Sequence, residues 1–209
     1  MNLNDDTIGG KLREHSDHEI FNAFLTYFSD YTKLQLSTDH RKMIRDAFKL
    51  KKISKRQFLL REGEVCKYIS YVVSGALRTY SINERGQESI IVFALEGGWV
   101  SDWESVNLKT PGKYYIDAIE DSVVLQISPA ELLSLAEKIP AIDQFMHLEH
   151  GAITITTQKR IHSAISMSAE ERYHELLKSH PEYFQRFSQN MIASYLGIKP
   201  ETLSRLRRR

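Results

Sequence analysis

Tyr68-Ile69-Ser70-Tyr71-Val72-Val73-Ser74-Gly75-Ala76-Leu77-Arg78-Thr79-Tyr80-Ser81-Ile82-Asn83-Glu84-Arg85-Gly86 reads as two short strands, each closed by a turn. β-Branched and aromatic residues dominate 68–73 and recur at Thr79, Tyr80 and Ile82 in 76–82, while Ser74-Gly75 and 83–86 supply turn chemistry. The pattern continues on both sides. Strand-like runs at 58–60, 89–95, 114–119 and 123–127 are separated by Glu62-Gly63-Glu64, Glu96-Gly97-Gly98 and Pro111-Gly112. Glycine turns about 11 residues apart, with no proline inside a strand, predict an antiparallel β-roll or jelly roll between about 51 and 128.

Helical periodicity flanks this stretch. Ile20, Phe21, Phe24, Leu25 and Phe28 share one stripe, and a second helix is expected after Ser37, a good N-cap. Pro129 opens a short helix over 130–138, and Pro140 opens a long one over 140–166, about 40 Å at 1.5 Å per residue. Ile142, Phe145, Met146, Glu149, Ala152, Ile153 and Thr156 lie along one side of it. That helix either packs on its twin in a dimer or lies across the barrel; the dimer is favoured, because the barrel covers only part of it. Ser168 and Glu171 form a capping box for a further helix, which His180-Pro181 ends.

The last twenty-one residues, from Gln189 to Arg209, read as a helix-turn-helix. Ala193 is the small contact and Gly197 the turn, while Ile192, Leu196, Ile198, Leu203 and Leu206 supply the inward face. Pro200 suits the first position of the second helix. That helix carries Glu201, Thr202, Ser204 and Arg205 outward, followed by Arg207 and Arg208, all suited to base edges and phosphates. The competing reading is an ordinary helical hairpin with a solvated basic end.

Composition agrees with a two-part chain. From Pro181 onward six basic residues face two acids, a surplus of +4, which leaves −3 on the rest of a chain of formal charge +1. A basic end on a mildly acidic body suits a polyanion-binding module joined to something else. No apolar run approaches the roughly 20 residues of a membrane span, and the polar start does not read as a signal peptide, so a cytoplasmic protein with no membrane contact is expected. Cys66 is the single cysteine, which excludes an internal disulfide and a cysteine-held iron–sulfur cluster within one chain. No histidine lies between His40 and His147, so the strand region lacks haem or cupin-type ligands. With no phosphate loop, Ser-His-Asp order or carboxylate dyad, the chain does not read as an enzyme, and no metal site is assigned.

The order helix, β-roll, long helix, helix-turn-helix resembles the Crp–Fnr family of bacterial transcription regulators over about residues 20–209. The resemblance is most specific at Glu62-Gly63-Glu64 with 71–77, and at Glu201-Thr202-Leu203-Ser204-Arg205. It implies a homodimer paired through the long helix, with two recognition helices entering successive major grooves of a roughly palindromic double-stranded DNA site. RNA polymerase is a further implied partner. Glu201 and Arg205 match the family's base-reading pair and Ser204 a third reader. A Glu accepts from cytosine N4 and an Arg donates to guanine O6 and N7, whatever the family. The family usually continues into a β-wing, which is expected to be absent here because the sequence stops at Arg209.

Cyclic-nucleotide binders of this family carry a Gly-Glu pair and, about ten residues on, an Arg-Ser or Arg-Thr. The matching stretch here is 99–104 followed by Pro111-Gly112-Lys113-Tyr114, with no arginine between Arg85 and Arg160. Without the bidentate cation, cAMP binding is not expected and no cofactor is assigned. Trp99, Asp102, Trp103, Lys113 and Tyr114 form a candidate pocket for some other, unknown effector, although aromatic residues beside a roll are also ordinary core.

The chain is therefore expected to be α+β: a flexible start (1–19), a jelly-roll-like sensor domain (20–139), a dimerisation helix (140–166) and a helical helix-turn-helix domain (167–209). The function expected is a DNA-binding regulator. The alternative is a small-molecule-binding roll whose helical tail makes protein contacts.

Overall fold

The computed structural model describes residues 16–208. It divides into two compact units, one of 1–79 with 93–148 and one of 80–92 with 149–209. Residues 1–15 and Arg209 lie outside the described residues, and with them most of the segment expected to be flexible.

In the first unit, α1 (Asp17–Thr32) starts three residues earlier than the apolar stripe suggests. Ser16 and Glu19 close a capping box that satisfies the first-turn N–H groups. α2 (Thr38–Ala47) begins after Ser37, whose hydroxyl accepts from His40 N–H. Eight strands follow in the chain, of which β4 and β5 run partly through residues 80–92 of the second unit: β1 (Lys49–Ile53), β2 (Phe58–Leu60), β3 (Ile69–Ser74), β4 (Leu77–Ile82), β5 (Glu88–Ala94), β6 (Trp99–Val100), β7 (Tyr115–Ala118) and β8 (Ser122–Ile127). They form two four-stranded sheets, ordered β1-β8-β3-β6 and β2-β7-β4-β5. The expected roll is there, with two strands the alternation did not give, β1 and β6.

The β3–β4 turn requires its glycine. Gly75 has φ +99°, and a Cβ on it would stand 2.2 Å from Ser122 Oγ. The core joins α1 to the roll through aromatic side chains. Phe24 packs 4.9 Å from both Phe48 and Tyr71, Phe28 lies 4.6 Å from Phe145, and Trp99 lies 5.5 Å from Phe145. Between the neighbouring strands β4 and β7, Arg78 forks onto the Asp117 carboxylate at 2.8 and 3.1 Å, both residues being buried. Past β6, α3 (Trp103–Leu108) leads to β7, and α4 (Pro129–Ala136) follows β8. α4 is held by a Ser128–Glu131 capping box whose hydroxyl and N–H bonds keep the Glu131 carboxyl below its ordinary value.

α5 (Pro140–Ser166) runs the expected length and passes from the first unit into the second. The second unit continues with α6 (Ala169–Ser179), started by the expected Ser168–Glu171 box, then α7 (Tyr183–Arg186), α8 (Gln189–Leu196) and α9 (Pro200–Leu206). Its small core is aromatic: Tyr173 meets Phe184 edge-on, and Tyr183 meets Phe187 and Tyr195 in the same way. Among the described residues no helix is long and apolar enough to cross a membrane.

Candidate nucleic-acid interface

α8 and α9 form the predicted helix-turn-helix, and each local cause is visible. Ser188 caps α8 by accepting from Met191 N–H. Gly197 closes it at φ +65°, and Ile198 N–H reaches back to Ala193 carbonyl at 2.9 Å, which satisfies an otherwise orphan acceptor. Ala193 has no exposed surface, and Ile192, Leu196 and Leu203 are buried beside it, whereas Ile198 and Leu206 are only half-buried. Pro200 is the first helical residue of α9, and Lys199 stands at the N-cap without a capping hydrogen bond.

This packing points one face of α9 outward. Glu201 and Arg205 are exposed, Thr202 and Ser204 half-buried. Glu201 and Arg205 form no hydrogen bond or ion pair with each other among the described residues; Arg205 instead donates to Thr202 Oγ1 at 3.3 Å. Neither charged head has an ion-pair partner among the described residues. Glu201, Thr202, Ser204, Arg205 and Arg208 share an open concavity of about 770 Å³ with Gln189 and Lys199. Gln189 and Lys199 were not among the expected contact residues: one opens α8 and the other precedes α9, and only the turn brings them together. Arg207 is exposed but outside the concavity.

Two arginines hold the motif in the second unit, neither foreseeable from periodicity. Arg172 of α6 donates to Leu196 carbonyl at 3.1 Å and to Met167 carbonyl at 2.8 Å, so it caps the end of α8. Arg160 of α5 stacks 4.2 Å from the Tyr195 ring centre and donates to the Ile90 and Ile91 carbonyls.

The residues expected to line an effector pocket take other positions. Trp99 and Trp103, both half-buried, pack against the hydrophobic core. Asp102 is the N-cap of α3: its buried carboxylate accepts from Ser105 N–H at 3.0 Å and Lys113 N–H at 3.2 Å. The Lys113 ammonium turns outward to Glu104 at 3.0 Å, a contact that raises its pKa, and Tyr114 is half-buried. None of the five lines the roll's cavity of about 560 Å³.

A cyclic phosphate does not fit this cradle. The backbone donor of Lys113 is already spent on a carboxylate, the nearby ammonium is paired outward, and an incoming anion would meet the Asp102 charge. Among the described residues no group of three or more His, Cys, Asp or Glu is placed to hold a metal ion.

Comparison with known proteins puts this architecture in context. The family model described as the cyclic nucleotide-binding domain matches residues 50–138. The regulatory protein HlyX of Actinobacillus pleuropneumoniae is 32% identical over 168 residues, 75% of this chain and 69% of its own. The fumarate and nitrate reduction regulatory protein of Yersinia pestis is also 32% identical over 168 residues, covering 75% of this chain and 66% of that protein. For the anaerobic regulatory protein of Pasteurella multocida the share of its own length falls to 60%. Among solved structures, FixK2 of Bradyrhizobium japonicum superposes with a TM-score of 0.67 at 20% identity, over 77% of this chain and 83% of that one. An identity that low supports the fold, whereas the closer sequence matches to regulators carry the family, which is one of regulators and not of enzymes. With its two-sheet roll, long helix and exposed recognition-type helix, this chain belongs to the Crp–Fnr family of transcription regulators.

Proposed function

We propose that the protein is a homodimeric transcription regulator that reads a two-fold-related DNA site through α9. The observation that carries this reading is the outward, mutually unpaired placement of Glu201 and Arg205 one helical turn apart. In the major groove Arg205 would donate to a guanine and Glu201 accept from a cytosine, with Ser204 as a third reader. Arg207, Arg208 and Lys199 would meet phosphates and fix the register.

Dimerisation through α5 is supported by its uncovered apolar residues. Leu148 and Ile155, seven apart, and Ile161 and Ile165, four apart, are exposed at 42, 54, 54 and 79%. Two copies would bring the recognition helices to successive grooves. Cytoplasmic location and contact with RNA polymerase follow from the same reading, as does control by a ligand that binds one arrangement of the helices better than another.

Gel shifts on DNA fragments selected by the purified protein test it. Arg205→Ala is expected to cost about 1–3 kcal/mol on the selected site and to relax the preference at one base pair. Arg208→Ala is expected to weaken all sequences alike and to reduce the salt slope by about one. An affinity indifferent to salt would instead favour a tail that contacts protein.

A further inference from the structure

β5 is the last strand of its sheet, so one side of its backbone has no strand neighbour. Bare edges of this kind invite unwanted pairing and are normally covered. Within the second unit, which holds residues 80–92 together with 149–209, a side chain of the helix-turn-helix lies on this edge. The Ser194 hydroxyl of α8 accepts from Ile90 N–H at 3.0 Å and donates to the Glu88 carbonyl at 2.9 Å. Residues two apart on a strand turn their backbone groups to the same side. One hydroxyl thus meets the strand much as the backbone of a neighbouring strand would, with one acceptor and one donor.

Arg160 closes the same junction from α5. Besides the Ile90 and Ile91 carbonyls, its guanidinium donates to the Tyr195 carbonyl at 3.4 Å. One cation therefore touches both the strand edge and the carbonyl end of α8, where the helix dipole favours positive charge. A serine inside a helix commonly spends its hydroxyl on the carbonyl four residues back. For Ser194 that residue is Asn190, and the hydroxyl reaches β5 instead. The bond serves neither the α8–α9 packing, which rests on Ile192, Ala193, Leu196 and Leu203, nor the concavity of Glu201 and Arg205, which Ser194 does not line.

We propose that Ser194 and Arg160 are positioning residues for DNA reading. They seat α8 on the β5 edge and on α5, and so fix where α9 stands relative to the long helix that pairs two copies. The inference rests on the homodimeric reading above, in which the separation of the two recognition helices sets the half-site spacing. The seat is built from hydrogen bonds to backbone and is therefore particular about register. A slide of one residue along β5 turns Ser194 toward N–H and C=O groups that point to the other side of the strand. Arg160, held by both β5 and α8, resists the same slide from the α5 side.

Amide exchange and gel shifts on the full chain test the assignment. Ser194→Ala should speed exchange of the Ile90 amide by roughly fivefold or more, the loss of about one hydrogen bond. Ser194→Thr keeps the hydroxyl and should stay near wild type. On selected DNA, wild-type affinity is expected to fall as the two half-sites are moved apart. Ser194→Ala and Arg160→Met should flatten that dependence and leave the salt slope unchanged, since neither removes a proposed phosphate contact. Where Arg160→Met fails to fold, Ser194→Ala carries the test alone. A residue that merely stabilises the fold lowers the thermal midpoint and all DNA binding alike while the spacing preference survives. That result, or unchanged Ile90 exchange in Ser194→Ala, overturns the proposal. The two readings fail differently: wild-type protein indifferent to spacing refutes the homodimeric reader, whereas fast Ile90 exchange with an intact spacing preference refutes the positioning role.

Discussion

The Asp102 carboxylate stands 2.6 Å from the point a Cβ on Gly112 would occupy. The loop after α3 therefore closes around its own acid, and any side chain at 112 must displace a buried charge or the backbone around it. Gly112→Ala is expected to destabilise the first unit by about 1–3 kcal/mol, the usual result of overpacking. Urea denaturation of both proteins measures this. Gly112→Arg restores the cation that cyclic-nucleotide binders carry after this turn, yet it should not confer cyclic AMP binding. Calorimetric titration with the nucleotide decides that, and micromolar binding would show that the Asp102 loop yields more readily than its contacts suggest.

The Arg78–Asp117 fork makes a second prediction, in which changing both residues costs less than changing one. Arg78→Ala strands a carboxylate that is 6% exposed, and breaking such a pair typically costs about 3–5 kcal/mol. The double change Arg78→Met/Asp117→Leu removes both charges and keeps volume, so it should recover most of that loss. A double-mutant cycle by chemical denaturation reads the coupling, and simple additivity of the two changes would refute it.

How legible each part was depends on whether its cause is local. Ser37, Pro140 and Ser168 start helices where the sequence says they do, because capping acts within one turn. Gly197 and Ala193 made the helix-turn-helix readable for the same reason. β1 was not readable: Lys49, Lys51 and Lys52 interrupt its apolar character, and it is a strand only because it pairs antiparallel with β8 from Lys49↔Gln126 to Ile53↔Ser122. β6 is two residues long and carries no period. Asp102 reads from the sequence only as one of the candidate effector-pocket residues, because the N–H groups it accepts from belong to α3 and to Lys113, eleven residues on. The roll's cavity joins residues from six strands and the β2–β3 loop, so no window of sequence holds it.

Lys199 sets stability against function. Its backbone is extended at φ −75° and ψ 146°, the geometry of a capping residue, but its side chain caps nothing. Lys199→Ser should stabilise α9 by about 0.5–2 kcal/mol, since a hydroxyl there can accept from the first-turn N–H groups. The same change removes a cation from the concavity and should weaken DNA binding. Thermal melts and gel shifts on one preparation check both arms, and a variant that gains stability without losing affinity would remove Lys199 from the interface.

The second unit should be sensitive to alkali. Burial raises the pKa of Tyr183, with Tyr195 and Glu182 adding to the effect and Arg160 opposing it. Burial raises Tyr195 as well, again against Arg160. A phenol with a raised folded-state pKa stays neutral in the folded chain while the unfolded chain ionises near the ordinary value of 10.0. Its contribution to stability is therefore complete below about pH 10 and declines as pH climbs from there through the folded-state value. Denaturant midpoints from neutral to strongly alkaline pH should be flat and then fall. Tyr183→Phe, which removes the ionisable group and keeps the ring against Phe187, should flatten the alkaline fall. A fall of the same steepness in that variant would place its origin in other tyrosines or in the lysines.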